Sequence, residues 1–333
     1  MLRPLTDTNE SALLYSFFEP RDRQDIQTMI LHRILSIFLA LAMLCMSATR
    51  VDALTHPEVD ALKTLYASSR CQGGWDGSTG GDAPCGWNHV NCINAHVTEV
   101  HMEGCDADQS GLANISHLMW LHTLGMSGNS VMIFPDLAPL NSTLTAVYLD
   151  SNFINGSIPI TVTALGNLRI LDVSMNSVRG TLPEGMPQSL EKLNLYGNVL
   201  ESPVPDSLAA LPHLQELVLG WNSFSGPFPI PVLNLTSLIN LELEVNHFSG
   251  TVPAAISALT NLESLFIHQN KFGGQLPDVK QLKHLVRFDG QQNHFTGAYD
   301  ASAYGRIPKC ELKINNFTCP LAPGLRACDA TCA

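Results

Sequence analysis

The chain has 333 residues with 18 basic and 30 acidic side chains, a formal charge of -12. Charged residues make up 14% and apolar ones 45%, against about 25% charged in ordinary soluble proteins. These values exclude a disordered chain, and with no Lys/Arg cluster they exclude a nucleic-acid footprint. The length suits two small domains or one elongated one.

The first element in chain order is the apolar run Ile34 to Met46. As a helix it would cover roughly 20 Å of a bilayer core of about 30 Å, short for a membrane span. It follows His32 and Arg33 and leads to Val51-Asp-Ala53, a small-residue ending that suits cleavage. Residues 1–53 therefore read as an extension plus a secretory signal. Translation from Met29 would put Met-Ile-Leu-His-Arg directly ahead of the apolar core. An uncleaved N-terminal anchor is the alternative, and N-terminal sequencing of the exported chain separates the two.

Loss of Cys45 with the signal leaves eight cysteines: Cys71, Cys85, Cys92 and Cys105 early, and Cys310, Cys319, Cys328 and Cys332 late. An even set confined to the two ends predicts disulfide-stapled caps in an oxidising compartment. Neither group holds a CxxC pair or a histidine at finger spacing, so no metal or other cofactor is expected. Five sequons, at Asn114, Asn141, Asn155, Asn234 and Asn316, point to N-glycosylation and the same compartment.

Between the caps the sequence repeats. An Asn recurs at 129, 152, 176, 198, 222, 246, 270, 293 and 315, with Cys105 in the same slot, at steps of 22 to 24 residues. Leu214-Gln-Glu-Leu217-Val-Leu219-Gly-Trp-Asn222 and Leu238-Ile-Asn-Leu241-Glu-Leu243-Glu-Val-Asn246 fit the leucine-rich repeat template L-x-x-L-x-L-x-x-N/C. Alternation within L-x-L sends the leucines inward and the x residues outward on a parallel sheet. One coil cannot bury its own apolar face, so stacked coils cover one another and the ends need caps. Each repeat Asn brings two donors and an acceptor to the tight turn after the strand.

After the Asn, most repeats continue as Phe224-Ser-Gly226-Pro-Phe-Pro229, Phe248-Ser-Gly250-Thr-Val-Pro253 or Phe272-Gly-Gly274-Gln-Leu-Pro277. This step resembles the plant-type extracellular leucine-rich repeat family. The resemblance implies an α/β repeat solenoid, a curved right-handed superhelix with a parallel concave sheet and a second short sheet. It weakens in repeat nine, where Gly290 takes a core Leu position and Gly297-Ala-Tyr299-Asp replaces the turn, so local distortion is expected there.

Thr55-His-Pro57-Glu58 has capping-box spacing, and Val59, Leu62, Leu65 and Tyr66 then recur on one helical face. The following Cys85-Gly-Trp87-Asn-His-Val90-Asn-Cys92 is similar to the family's cap signature, with His89 where Gly is usual. That similarity implies a Cys85 to Cys92 bridge and a Trp87 in the cap core. Cys71 is unassigned, because Cys105 at an Asn position also fits an unpaired buried thiol. The four late cysteines allow three connectivities. The organisation expected is an N-terminal cap over 54–96, a solenoid over 97–306, and a last repeat with a Cys-rich cap over 307–333.

Outward positions can be read from the pattern. The x of L-x-L gives Tyr148, Asp172, Asn194, Val218, Glu242, Phe266 and Asp289, and the position after the second Leu gives Asp150, Ser174, Tyr196, Gly220, Glu244, His268 and Gln291. Trp221 stands next to Asn222. Repeats five to eight thus gather Tyr196, Trp221, Phe266 and His268 beside Glu242 and Glu244, aromatic anchors rimmed by acids that select against like-charged partners. The competing reading is a solvated sheet whose aromatics reflect β propensity alone. Glu242 with Glu244, or His268 near an acid, could in principle do acid-base chemistry. An open sheet without nucleophile elbow, metal motif or phosphate loop makes an enzyme unexpected.

The resemblance implies extracellular recognition of a protein, peptide or polysaccharide ligand, since family members include receptor ectodomains, secreted inhibitors and protist surface antigens. A structural or adhesive role through homotypic contacts is the second expectation.

Overall fold

A computed structural model describes residues 56–71, 84–296, 301–317 and 328–330. The leader, Met29, Thr55, Cys319 and Cys332 lie outside the described residues. No helix among those described is long and apolar enough to cross a membrane.

The described chain opens with the helix His56–Ala67, which buries Val59, Leu62 and Leu65. Tyr66, expected on the same face, is 40% exposed. The approach is close: a Cβ on Gly111 would lie 2.9 Å from Leu65 Cδ1. Next, the strand Val90–Ile93 pairs antiparallel with His96–His101, and Trp87 packs in the core beneath this hairpin. Cys85 is bonded to Cys92, and Cys71 to Cys105, so the thiol in the first Asn slot is a crosslink to the helix end.

From His96–His101 onward every coil adds one parallel strand to an 11-stranded sheet. Register is strict: Leu217 pairs with Leu193 on one side and Leu241 on the other, and Leu241 with Leu265. These leucines are fully buried. A second sheet of seven strands forms where the chain leaves the turn, running from Asn155–Gly156 to His294–Phe295. The coil then crosses the far side in short 3-10 turns such as Asp206–Ala210 and Ala254–Ala258, each entered from an extended proline, Pro205 or Pro253. Proline suits that entry because its φ is preset and it has no donor to leave unpaired.

Two ladders join the coils. Asn246 Nδ2 donates to the carbonyls of Leu219, Leu243 and Glu244, and its Oδ1 accepts from Phe224 N at 2.9 Å. The same pattern recurs at Asn152, Asn198, Asn222, Asn270 and Asn293. These contacts satisfy backbone groups that the turn would otherwise bury unpaired. Under the second sheet, Phe224, Phe248 and Phe272 stack at centroid separations of 6.2 and 6.1 Å, nearly parallel.

Repeat nine departs from the others at Gly290, while residues 297–300 lie outside the described residues. A Cβ on Gly290 would approach Phe288 and Leu312 at 3.0 to 3.2 Å, so the larger Phe288 fills the space a leucine would take. A short helix, Ala301–Tyr304, follows, and the Tyr304 hydroxyl donates to Pro277 O at 2.6 Å. Cys310 is bonded to Cys328, and Leu312 N donates to Cys328 O, closing the last coil.

Candidate functional site

The solvent face of the 11-stranded sheet carries the outward residues in columns, one residue per coil, at about 4.8 Å between strands. Strand pairing places Val218 beside Glu242, and Glu242 beside Phe266, with Phe266 next to Asp289. The backbone turn before each Asn is left-handed: Trp221 has φ 52 and Val245 φ 50. That turn lifts Trp221 out of the sheet, leaving it 53% exposed with its ring 6.3 Å from that of Tyr196. Tyr148, Asp150, Tyr196, Glu242, Phe266 and His268 are half-buried on this face.

Two of the expected contact residues, Asp172 and Glu244, are buried rather than open on this face. Asp172 is only 8% exposed. Its carboxylate accepts from Ser174 Oγ at 2.6 Å, Ser174 N at 3.1 Å and Asn194 Nδ2 at 2.8 Å, so its acceptor capacity is spent within the sheet. Glu244 is 5% exposed, not part of an open acidic rim. The cause is Gly220, one coil earlier in the same column, where an added Cβ would lie 2.2 Å from Glu244 Oε1. The missing side chain leaves a pit, and the Glu244 carboxylate lies in it.

The electrostatics follow from that burial. Desolvation, with smaller contributions from the charges of Glu242 and Asp289, raises the Glu244 pKa to about 7, opposed by a hydrogen bond from its own backbone N–H. Glu244 Oε2 has no hydrogen-bond partner. Tyr196, the next outward residue beyond Gly220, has its phenol pKa raised by burial and by the charges of Glu244 and Glu242.

Further contacts complete the face. Glu242 Oε1 accepts from Asn240 Nδ2 at 2.7 Å, leaving Asn240 Oδ1 buried without a donor. His268 Nδ1 lies 3.2 Å from Asp289 Oδ2, an ion pair when the ring is protonated. Asp289 also accepts from Gln291. Asp150 is held by the hydroxyls of Ser127 and Ser151. Reading outward positions placed Gly220 in this column but not the pit it leaves, and missed Asn240. Asn240 was findable, since it stands two residues before Glu242 and shares its face.

Other groups lie apart from this face. Among the described residues no cluster of His, Cys, Asp and Glu is arranged to hold a metal ion. Of the sequon residues, Asn141, Asn155, Asn234 and Asn316 are exposed, whereas Asn114 is half-buried with its Nδ2 on Thr64 Oγ1 at 3.2 Å.

Comparison with known proteins agrees with this geometry. The family model described as Leucine Rich Repeat matches residues 189–211, the stretch from Ser189 to Leu211. A crystal structure of a plant ice-binding protein is similar at 19% identity, covering 84% of this chain and 96% of that one with a TM-score of 0.72. The Arabidopsis receptor kinase HAESA, in complex with the peptide hormone IDA and the co-receptor SERK1, is 25% identical over 79% of this chain and 50% of its own, TM-score 0.64. The plant peptide hormone receptor RGFR1 in complex with RGF2 is 20% identical over 61% of this chain, TM-score 0.54. This chain spans 38% of that receptor chain and half of the HAESA chain. No curated protein matches the sequence.

A coil with one strand per repeat, an asparagine ladder and a second sheet defines a leucine-rich repeat solenoid. The turn motif and the disulfide at each end accompany a fold similar to that of plant receptor ectodomains.

Proposed function

We propose that the protein is a secreted or cell-surface recognition protein that binds a peptide or protein segment on the solvent face of the long sheet, over repeats five to eight. The observation carrying this reading is the convergence there of an exposed tryptophan on a left-handed turn, the flanking rings of Tyr196 and Phe266, and half-buried Glu242. Aromatic anchors beside polar groups concentrate binding energy in interfaces. The face is open, which suits an extended segment better than an enclosed small molecule. Receptor ectodomains of the same fold have been solved with peptide hormones, which supports a peptide or protein over a polysaccharide.

Disulfides at both ends support an oxidising, extracellular or surface location. Residues 1–53 serve in this reading as extension and signal, and the exposed sequons carry glycans away from the binding face. Binding, rather than catalysis, fits a face on which His268 and Asp289 have no nucleophile beside them in the sheet register. The likeness to an ice-binding protein is one of fold. Successive outward residues of the second sheet, Ser177, Val199, Ser223, His247 and Lys271, change in size and charge, whereas a crystal lattice calls for a repeating side chain.

The test is paired affinity capture from extracellular material with the wild-type protein and a Trp221→Ala, Glu242→Lys variant of equal stability. Glu242 is chosen because a lysine at buried Glu244 would place an unpaired cation inside the sheet. A partner held by wild type and lost by the variant supports the reading. Identical captures overturn it, and concentration-dependent sedimentation of the protein alone would instead favour self-association.

A further inference from the structure

Repeat seven presents an excess of hydrogen-bond acceptors. Asn240, Glu242 and Glu244 follow one another along one strand and its exit, all on the solvent face. The only donor among them, Asn240 Nδ2, is used by Glu242 Oε1, which fixes the amide so that Asn240 Oδ1 points elsewhere without a donor. Glu244 Oε2 is likewise unpartnered although the residue is 95% buried, at a relative exposure of 5%. Unsatisfied buried acceptors are rare in folded proteins, and each calls for an explanation.

The surroundings select what could satisfy them. Asp289 adds a third carboxylate in the next coil but one; of the cations on this sheet, Arg287 is exposed on the strand of Asp289, and Lys192 and Lys313 are engaged elsewhere. Lys192 pairs with Glu216 at 3.2 Å and Lys313 with Asp329 at 3.0 Å. The flanking columns carry flat apolar surface, Trp221 before repeat seven and Phe266 after it. A donor-rich, planar cation fits carboxylates bordered by rings better than a compact ammonium does.

Resting on the recognition reading above, we infer that repeat seven is the subsite for an arginine side chain of the ligand, its guanidinium donating to the carboxylates of Glu242 and Glu244 between Trp221 and Phe266. Glu242 is half-buried and meets the ligand first. Glu244 lies beneath, in the pit left by Gly220, and in this inference turns outward to meet the guanidinium. The groups acting on Glu244 are the carboxylates of Glu242 and Asp289, with the Tyr196 phenol in the same column, while His268, one coil on, is drawn toward Asp289. Guanidinium binding favours the ionised Glu244, so affinity rises with pH through about 7.

The probe is a capped seven-residue glycine peptide with a central arginine, compared with the same peptide carrying citrulline, which keeps the shape and removes the charge. Binding to the full chain is followed by the tryptophan indole resonances at pH 6 and pH 8. The arginine peptide is expected to bind at least tenfold tighter than the citrulline peptide at pH 8, and more weakly at pH 6. A Glu242→Gln, Glu244→Gln double variant is expected to lose that preference, while Asp206→Asn on the far side retains it. A double variant with native circular dichroism that still prefers arginine overturns the inference. Equal binding of both peptides, lost together in Trp221→Ala, overturns the arginine subsite and leaves the recognition face standing. No binding of either peptide also overturns it, and the capture experiment then decides the face separately.

Discussion

Asp172 in repeat four and Glu244 in repeat seven are both carboxylates sunk into the same sheet face, and they are sunk for opposite reasons. Asp172 is drawn in by partners: Ser174 and Asn194 give it three hydrogen bonds. Glu244 is let in by a vacancy, the absent side chain of Gly220, and one of its oxygens finds no donor. Burial alone therefore does not tell whether an acidic group stabilises a fold. The number of donors it meets does, since a satisfied buried charge holds coils together and an unsatisfied one costs stability that only a ligand can return.

The contrast is open to test. Asp172→Ala, which leaves the Ser174 and Asn194 donors stranded, is expected to cost about 3 kcal/mol in urea unfolding. An unchanged midpoint would mean that those donors find water without loss.

Glu244→Gln is expected to act in the other direction and to depend on pH. Because the folded-state pKa is raised, from 4.5 to about 7, the folded chain binds the proton more tightly than the unfolded one. Stability linked to this group is thus fully present below pH 4.5, falls as pH rises toward 7, and is level above it. The loss amounts to roughly 3 kcal/mol at most. The glutamine variant, without a charge to bury, is expected to gain up to that amount over wild type at pH 8 and nothing at pH 4. A constant difference between variant and wild type at the two pH values would contradict the vacancy account.

Gly220→Ala sharpens the same point. Its new Cβ would occupy the place of Glu244 Oε1, expelling the carboxylate into water. The strain is expected to cost about 1 kcal/mol, and the pH dependence attributed to Glu244 is expected to vanish with it. The smallest effect concerns the turn itself. Val245 holds φ 50, which disfavours a β-branched side chain. Val245→Gly is expected to gain about 0.5 kcal/mol, the relief of that strain less the entropy glycine brings to the unfolded chain. Thermal unfolding would show whether the midpoint moves upward.

Much of the molecule is legible in its sequence. The Asn recurrence located every coil after the first, where Cys105 holds the slot, because one side chain type at one turn satisfies the same three carbonyls each time. The alternation of L-x-L gave the buried leucines and the outward columns, since that periodicity belongs to the strand itself. The site was legible in outline only. Trp221, Tyr196, Glu242 and Phe266 stand where alternation puts them, but Asp172, Val218 and Glu244 are buried although their positions point outward.

The sequence by itself determined the repeat, its period, the end caps and the side of the sheet on which each residue begins. Those properties are local, set within one coil by spacing and turn chemistry. Only the tertiary structure decided the pairing of Cys71 with Cys105 and of Cys310 with Cys328. It alone decided as well which acids are sealed, which is open, and which acceptors are left without donors. Those outcomes depend on the size and donors of residues one coil away, more than twenty positions along the chain, and no pattern within a single repeat contains them.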